Sequence, residues 1–198
     1  MVRNTAKCVL FVAASATLGL TACSGSDSGT KSSGATGTHS PSGSASAGAS
    51  ALTASVRGAL KALDTADRDV PGGQSFDLEK ETGTGGSPVW DIKTASNGKD
   101  QYNLSVSEDG AKVVNKRQDM TPDDDVAKLK DVRIPAQEAV KLAAGHRQGE
   151  DLKSIEIDRN STGATVWQVS TVKPGAQNGT ETILDARSGK LLGDKAAD

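Results

Sequence analysis

The sequence predicts an α+β fold in which one small unit is written twice, each copy a helix packed on an antiparallel meander of three to four strands. Three observations lead there. SPVWDIKTASNG (87 to 98) has a near-copy in ATVWQVSTVKPG (164 to 175), and the only two tryptophans, Trp90 and Trp167, occupy matching places in them. In each half an apolar stripe at helical spacing is followed by short runs that alternate apolar and polar. The spacing between halves also stays nearly constant: Ala139 follows Ala59 by 80 positions, Ile157 follows Leu78 by 79, and Trp167 follows Trp90 by 77. An internal repeat of that kind means two copies of one supersecondary unit. Each tryptophan is then expected at the centre of its own copy's core.

The first copy is expected over 51–118. Leu52, Val56, Leu60 and Leu63 mark an amphipathic helix over 52–66, broken by Pro71-Gly72-Gly73. Phe76 and Leu78 begin a half-buried strand, and Gly83 to Ser87 turns the chain. Trp90 and Ile92 follow on a second strand, then Asn97-Gly98, a strong hairpin signal. Tyr102, Leu104 and Val106 alternate on the return strand. Asp109-Gly110 makes the next turn, and Val113-Val114 opens a fourth strand.

Residues 119–133 are expected to hold a short linking helix. Thr121 and Asp124 have capping-box spacing, and Pro122 and the acidic Asp123, Asp124 and Asp125 suit a first helical turn. The three carboxylates lack the alternating spacing and terminal Glu of a calcium loop. The second copy is expected over 134–195. Pro135 suits a first turn, and Ala136, Ala139, Val140 and Ala143 form the stripe, ending near Gly145. Ile155 and Ile157 match Phe76 and Leu78, Trp167 and Val169 match Trp90 and Ile92, and Ile183 and Leu184 match Leu104 and Val106. Ser188-Gly189 and Leu191-Leu192 complete the copy. A unit of about 60 residues is marginal alone, so the copies are expected to support each other.

The N-terminus reads differently. Met1 to Lys7 carries Arg3 and Lys7 without an acidic residue, and the 13 residues from Cys8 to Leu20 are almost all apolar or small. That is a secretory signal, too short to span a bilayer. Leu20-Thr21-Ala22-Cys23 resembles a bacterial lipobox, which implies a signal peptide over 1–22 and diacylglyceryl attachment at Cys23. Removing Cys8 leaves one cysteine in the mature chain, so no internal disulfide can form. Two acyl chains, at about 0.8 kcal/mol per buried methylene, hold such a protein firmly on a membrane. Residues 24–50 contain ten Ser and six Gly and nothing apolar larger than proline. With Cys23 they read as a disordered tether over 23–50. The expected location is the outer face of the cell membrane.

The residues offer little chemistry. His39 lies in the tether and His146 just past a helix. There is no nucleophile–base constellation, no phosphate-cradling glycine motif and no cluster with metal-ligand spacing. No enzyme activity, cofactor, metal or small-molecule substrate is therefore expected. The mature chain carries 21 basic against 25 acidic residues once Arg3 and Lys7 are removed, and only Lys112, Lys116 and Arg117 cluster. That balance argues against nucleic acid as a partner.

PAQEAVKLA, SIEIDR, TVWQVST and ETILDARSGKLL, in order through 135–193, resemble the PepSY domain. SVRGALKAL, SFDLEKE, PVWDIKT and EDGAKVV, through 52–117, are a looser likeness. The resemblance implies a non-catalytic module outside the cell, of the kind found in propeptides of thermolysin-type metallopeptidases, that restrains or modulates peptidases. No HExxH motif is present, so a peptidase partner acts in trans. The alternative is a passive envelope lipoprotein or an accessory to a membrane-bound partner. A meander leaves its outer strands unpaired, so the edges at Val113-Val114 and Leu191-Leu192 are the candidate contacts.

Overall fold

The computed structural model describes residues 52–197. The expected signal peptide (1–22), Cys23, His39 and the expected tether (23–50) lie outside those residues. Two α-helices are present, α1 (Ala54–Asp69) and α2 (Ala136–His146). The strands of the first half are β1 (Gly73–Thr82), β2 (Pro88–Ser96), β3 (Asp100–Ser107) and β4 (Val113–Asp119). Those of the second are β5 (Asp151–Arg159), β6 (Thr165–Val172), β7 (Thr180–Asp185) and β8 (Leu191–Ala196). A 3-10 helix, Asp124–Asp131, links the halves.

Helix α1 starts where Thr53 accepts the Val56 N–H, and it buries Val56, Ala59, Ala62, Leu63 and Ala66. It runs to Asp69, three residues past its expected end, because Pro71 acts only beyond Val70. Pro135 proves to be the N-cap of α2 rather than its first helical residue, with ψ at 160°. The Asn97-Gly98 turn forms as expected: both residues have positive φ, 51° and 68°, which the right-handed twist of a tight hairpin requires.

Both meanders have four strands, and they do not remain separate. The strand order is β4-β3-β2-β1-β5-β6-β7-β8, one antiparallel sheet of eight strands. The halves meet where β1 pairs with β5 over three positions, Asp77 with Glu156, Leu78 with Ile155 and Glu79 with Ser154. Ile183 departs from its expected core place. Adjacent residues of a strand face opposite ways, so Thr182 and Leu184 are buried while Ile183 stands beside Gln168 on the other face.

The core lies between the helices and one face of the sheet. Trp90 and Trp167 are both fully buried, and Phe76, Leu78, Ile92, Ile155 and Ile157 join them in one contiguous cluster. The indoles are held differently. Trp90 Nε1 donates to the Glu108 carbonyl in the β3–β4 turn at 2.9 Å. Trp167 Nε1 donates to the Ile134 carbonyl ahead of α2 at 2.8 Å. Gly58 explains the first arrangement: a Cβ there would lie 2.4 Å from the Glu108 carbonyl oxygen and 3.4 Å from Trp90 Nε1. The absent side chain lets the turn press against α1.

Side chains of α1 also tie the halves together. Asp67 accepts from the Ser75 N–H at 2.7 Å, the Ser75 hydroxyl at 2.6 Å and the Gln137 amide of α2 at 2.6 Å. At the other end of the helix Ser55 donates to the Leu152 carbonyl of β5 at 3.0 Å. Helix α1 thus spans both meanders.

The linker departs from its expected capping box. Its helix is 3-10, its N-cap is Asp123, and no side chain caps it. The sheet takes the groups that a cap needs. The Asp123 N–H donates to Gln101 Oε1 at 2.8 Å, and its carboxylate pairs with Lys93 at 3.0 Å. Thr121 is bound instead by its own N–H to Asp119. Farther on, Lys128 pairs with Asp125 at 2.6 Å and with Asp158 of β5 at 3.1 Å. Arg187 pairs with Asp131 at 2.9 Å.

Two expectations follow for chemical or thermal unfolding. Trp90→Ala and Trp167→Ala should each cost about 3–5 kcal/mol, as loss of a buried indole does. Because the core is continuous, each variant should still melt in one transition; two resolved transitions would show independent halves. Gly58→Ala should destabilise by about 1–3 kcal/mol despite alanine's better helix propensity, since a backbone carbonyl has no cheap route away from the new methyl.

Candidate interaction surface

Strand pairing sorts side chains onto two faces. Leu78, Ile92 and Ile155 share the tryptophan side with Trp90, Ile157 and Trp167. Asp77, Lys93, Glu156 and Gln168 share the opposite side. That second face is polar. In the first half it holds a shallow cleft of about 400 Å³ lined by Asp77, Glu79, Glu81, Asp91, Lys93 and Arg117 among others. The linker crosses the same face, because its partners Lys93 and Asp158 both stand there.

The charges under the linker are crowded. Lys93 bridges Asp77 at 3.1 Å and Asp123 at 3.0 Å. Desolvation works against its charge, but hydrogen bonds to Asp123 and Asp77 outweigh it and hold the ammonium well above the usual lysine value. Asp77 is pushed up by desolvation even with Lys93 beside it, and Asp125 and Asp123 add to the rise. Desolvation likewise opposes the Lys128 ammonium, yet Asp125 and Asp158 raise it. Asp158, although partly desolvated, is held low by the Arg159 N–H and by Lys128.

The sheet ends in two open edges, β4 and β8, the strands expected to supply them. Each exposes a large apolar side chain: Val114 is 60% exposed and Leu192 47%, and Met120, just past β4, is 87% exposed. The edges carry charge, which hinders indiscriminate pairing. On β4, Lys116 turns back to Asp69 at 2.9 Å and lies over the Tyr102 ring. On β8, Asp194 is held by Arg147 at 2.6 Å, and Lys195 pairs with Glu181 at 2.9 Å. Beside β4 on the polar face, Pro88, Val89 and Val114 line a further shallow pocket.

Cys23 lies outside the described residues. His146 is the exposed last residue of α2 rather than a residue just past it, since the helix runs on to cap at Arg147. Asp123 and Asp125 are engaged by lysines. No group of three or more metal-ligating side chains occurs among the described residues, and no helix among them is long and apolar enough to cross a membrane. The pairing of Asp77 with Glu156 has no local signal in the sequence. Alternation puts each on the polar side of its strand, but only the β1–β5 ladder brings them opposite.

No curated protein matches the chain. One solved structure that does is from Clostridium difficile 630 and is described as a "putative lipoprotein"; it is 17% identical, covers 63% of this chain and 83% of its own, and aligns with a TM-score of 0.39, too loose a likeness to bear on fold or function. Within the chain, residues 133–195, from the end of the linker to β8, match the PepSY family, described as "Peptidase propeptide and YPEB domain".

Proposed function

We propose that this chain is a non-catalytic binding module, tethered outside the cell by lipid on Cys23, that modulates a surface or secreted peptidase in trans. The PepSY match over 133–195 carries the reading. It is a family of propeptide domains, and the described residues offer edges and a polar face rather than a catalytic constellation. Contact is made by strand addition at β4 or β8, where unpaired backbone groups lie beside the exposed Val114 and Leu192. Residues 51–118 are a divergent first copy of the same unit. Supporting this, each half runs helix then four-stranded meander, the strand order mirrors about β1 and β5, and each half buries one tryptophan.

The anchor and the activity are tested separately. Cys23→Ala should release the protein from membranes or block its maturation, read by fractionation; unchanged membrane association would remove the lipoprotein assignment. The chain from residue 51 onward should inhibit a peptidase of the same cell surface in a saturable, stoichiometric manner, measured by residual proteolysis. Folded protein that inhibits none of the surface and secreted peptidases would overturn peptidase modulation and leave the role of a passive envelope component or accessory subunit.

A further inference from the structure

Asp77 of β1 stands directly opposite Glu156 of β5, in the only ladder that joins the two meanders. Like charges placed so oppose strand pairing. Lys93 pairs with Asp77 at 3.1 Å, but the surroundings do not neutralise the two carboxyls together. The linker brings Asp123, Asp125 and Lys128 over the pair, β1 itself brings Glu79, β2 brings Lys93, β5 itself brings Asp158, and β7 brings Glu181. Each cation there is already engaged: Lys93 by Asp77 and Asp123, Lys128 by Asp125 and Asp158, and Lys195 by Glu181. Gln168, across from Glu156 on β6, donates its amide to Asp158 at 3.1 Å instead. No lysine or arginine among the described residues forms an ion pair with Glu156.

We propose that this seam is an acid-tightened joint: a proton taken up by the Asp77–Glu156 pair removes the repulsion across the one ladder holding the halves together. Lys93 favours the charged form of Asp77, which leaves Glu156 as the carboxyl of the pair with no cation bound to it among the described residues. The titration agrees with the geometry. Desolvation first, then the charges of Asp77, Glu181, Asp158 and Asp125, hold the Glu156 carboxyl above its ordinary value, so the folded protein binds this proton more tightly than the unfolded chain.

A raised folded value means that stability grows as pH falls from neutral through it, and the gain is complete below the unfolded value near 4.5. Four other carboxyls act the opposite way at lower pH. Asp109, Asp119, Asp158 and Asp185 are held below their usual 3.8, so their contribution is lost only as pH falls through their folded values. The joint is therefore tightest in mild acid.

The test is thermal unfolding of the full-length chain in mild detergent at pH 7 and at about pH 5, with amide protection factors at Leu78 and Ile155. The wild type should melt about 2–4 °C higher at the lower pH, with rising protection at both amides. Glu156→Gln and Glu156→Ala should each flatten that dependence, with the Gln variant melting above wild type at pH 7, whereas Glu156→Asp should keep the slope. A wild-type melting temperature that falls from pH 7 to pH 5, or charge-free variants whose profiles run parallel to wild type, would overturn the joint.

Discussion

Three residue pairs between β1 and β5 turn two four-stranded meanders into one sheet, and the rest of the molecule is arranged around that ladder. A meander with one helix has too little interior to stabilise itself, so joining two is a solution to a surface-to-volume problem. Once β1 and β5 are neighbours, both helices lie on the same face and their apolar stripes meet over one core. Asp67 of α1 then finds a partner on α2 as well as Ser75 in its own half, and Ser55 finds one on β5. The same ladder leaves β4 and β8 as the outermost strands, so the joint that stabilises the interior also defines the surfaces available to a partner.

The ladder has a cost on its other face. Antiparallel pairing that puts Leu78 beside Ile155 in the core must put Asp77 beside Glu156 outside it. The linker, crossing that polar face to carry the chain from β4 to α2, adds Asp123 and Asp125 and supplies Lys128. Lys93 and Lys128 hold the linker down by pairing it with the sheet. They are consumed in doing so, which leaves Glu156 without a counter-ion of its own among the described residues. The linker's shape follows from the same competition: Gln101 and Lys93 bind the groups of Asp123, and the helix that follows is short, uncapped and 3-10.

The two halves are alike in plan and different in detail. Both place a tryptophan under a helix, but Gly58 lets the β3–β4 turn approach α1 closely enough to receive the Trp90 N–H. In the second half Leu142 and Ile134 stand against Gly189 of the corresponding turn, and the Trp167 N–H goes to the Ile134 carbonyl. One interior thus uses a close backbone approach where the other uses side-chain bulk.

Much of this was legible in the residues themselves. The helices, the strands, the Asn97-Gly98 turn and the burial of both tryptophans follow from periodicity and local turn chemistry, which act over a few residues and so are written locally. The open edges at Val114 and Leu192 were legible for the same reason. Other features depend on which segments become neighbours. No local rule says that β1 pairs with β5, that the linker lies on the polar face, or that Thr121 loses its capping role because Asp123 is drawn to Gln101 and Lys93. Nor does one put Asp77 opposite Glu156, residues 79 positions apart. The sequence by itself determined the elements and their faces; long-range pairing, which burial of a shared core selects, decided the seam and the charges gathered on it.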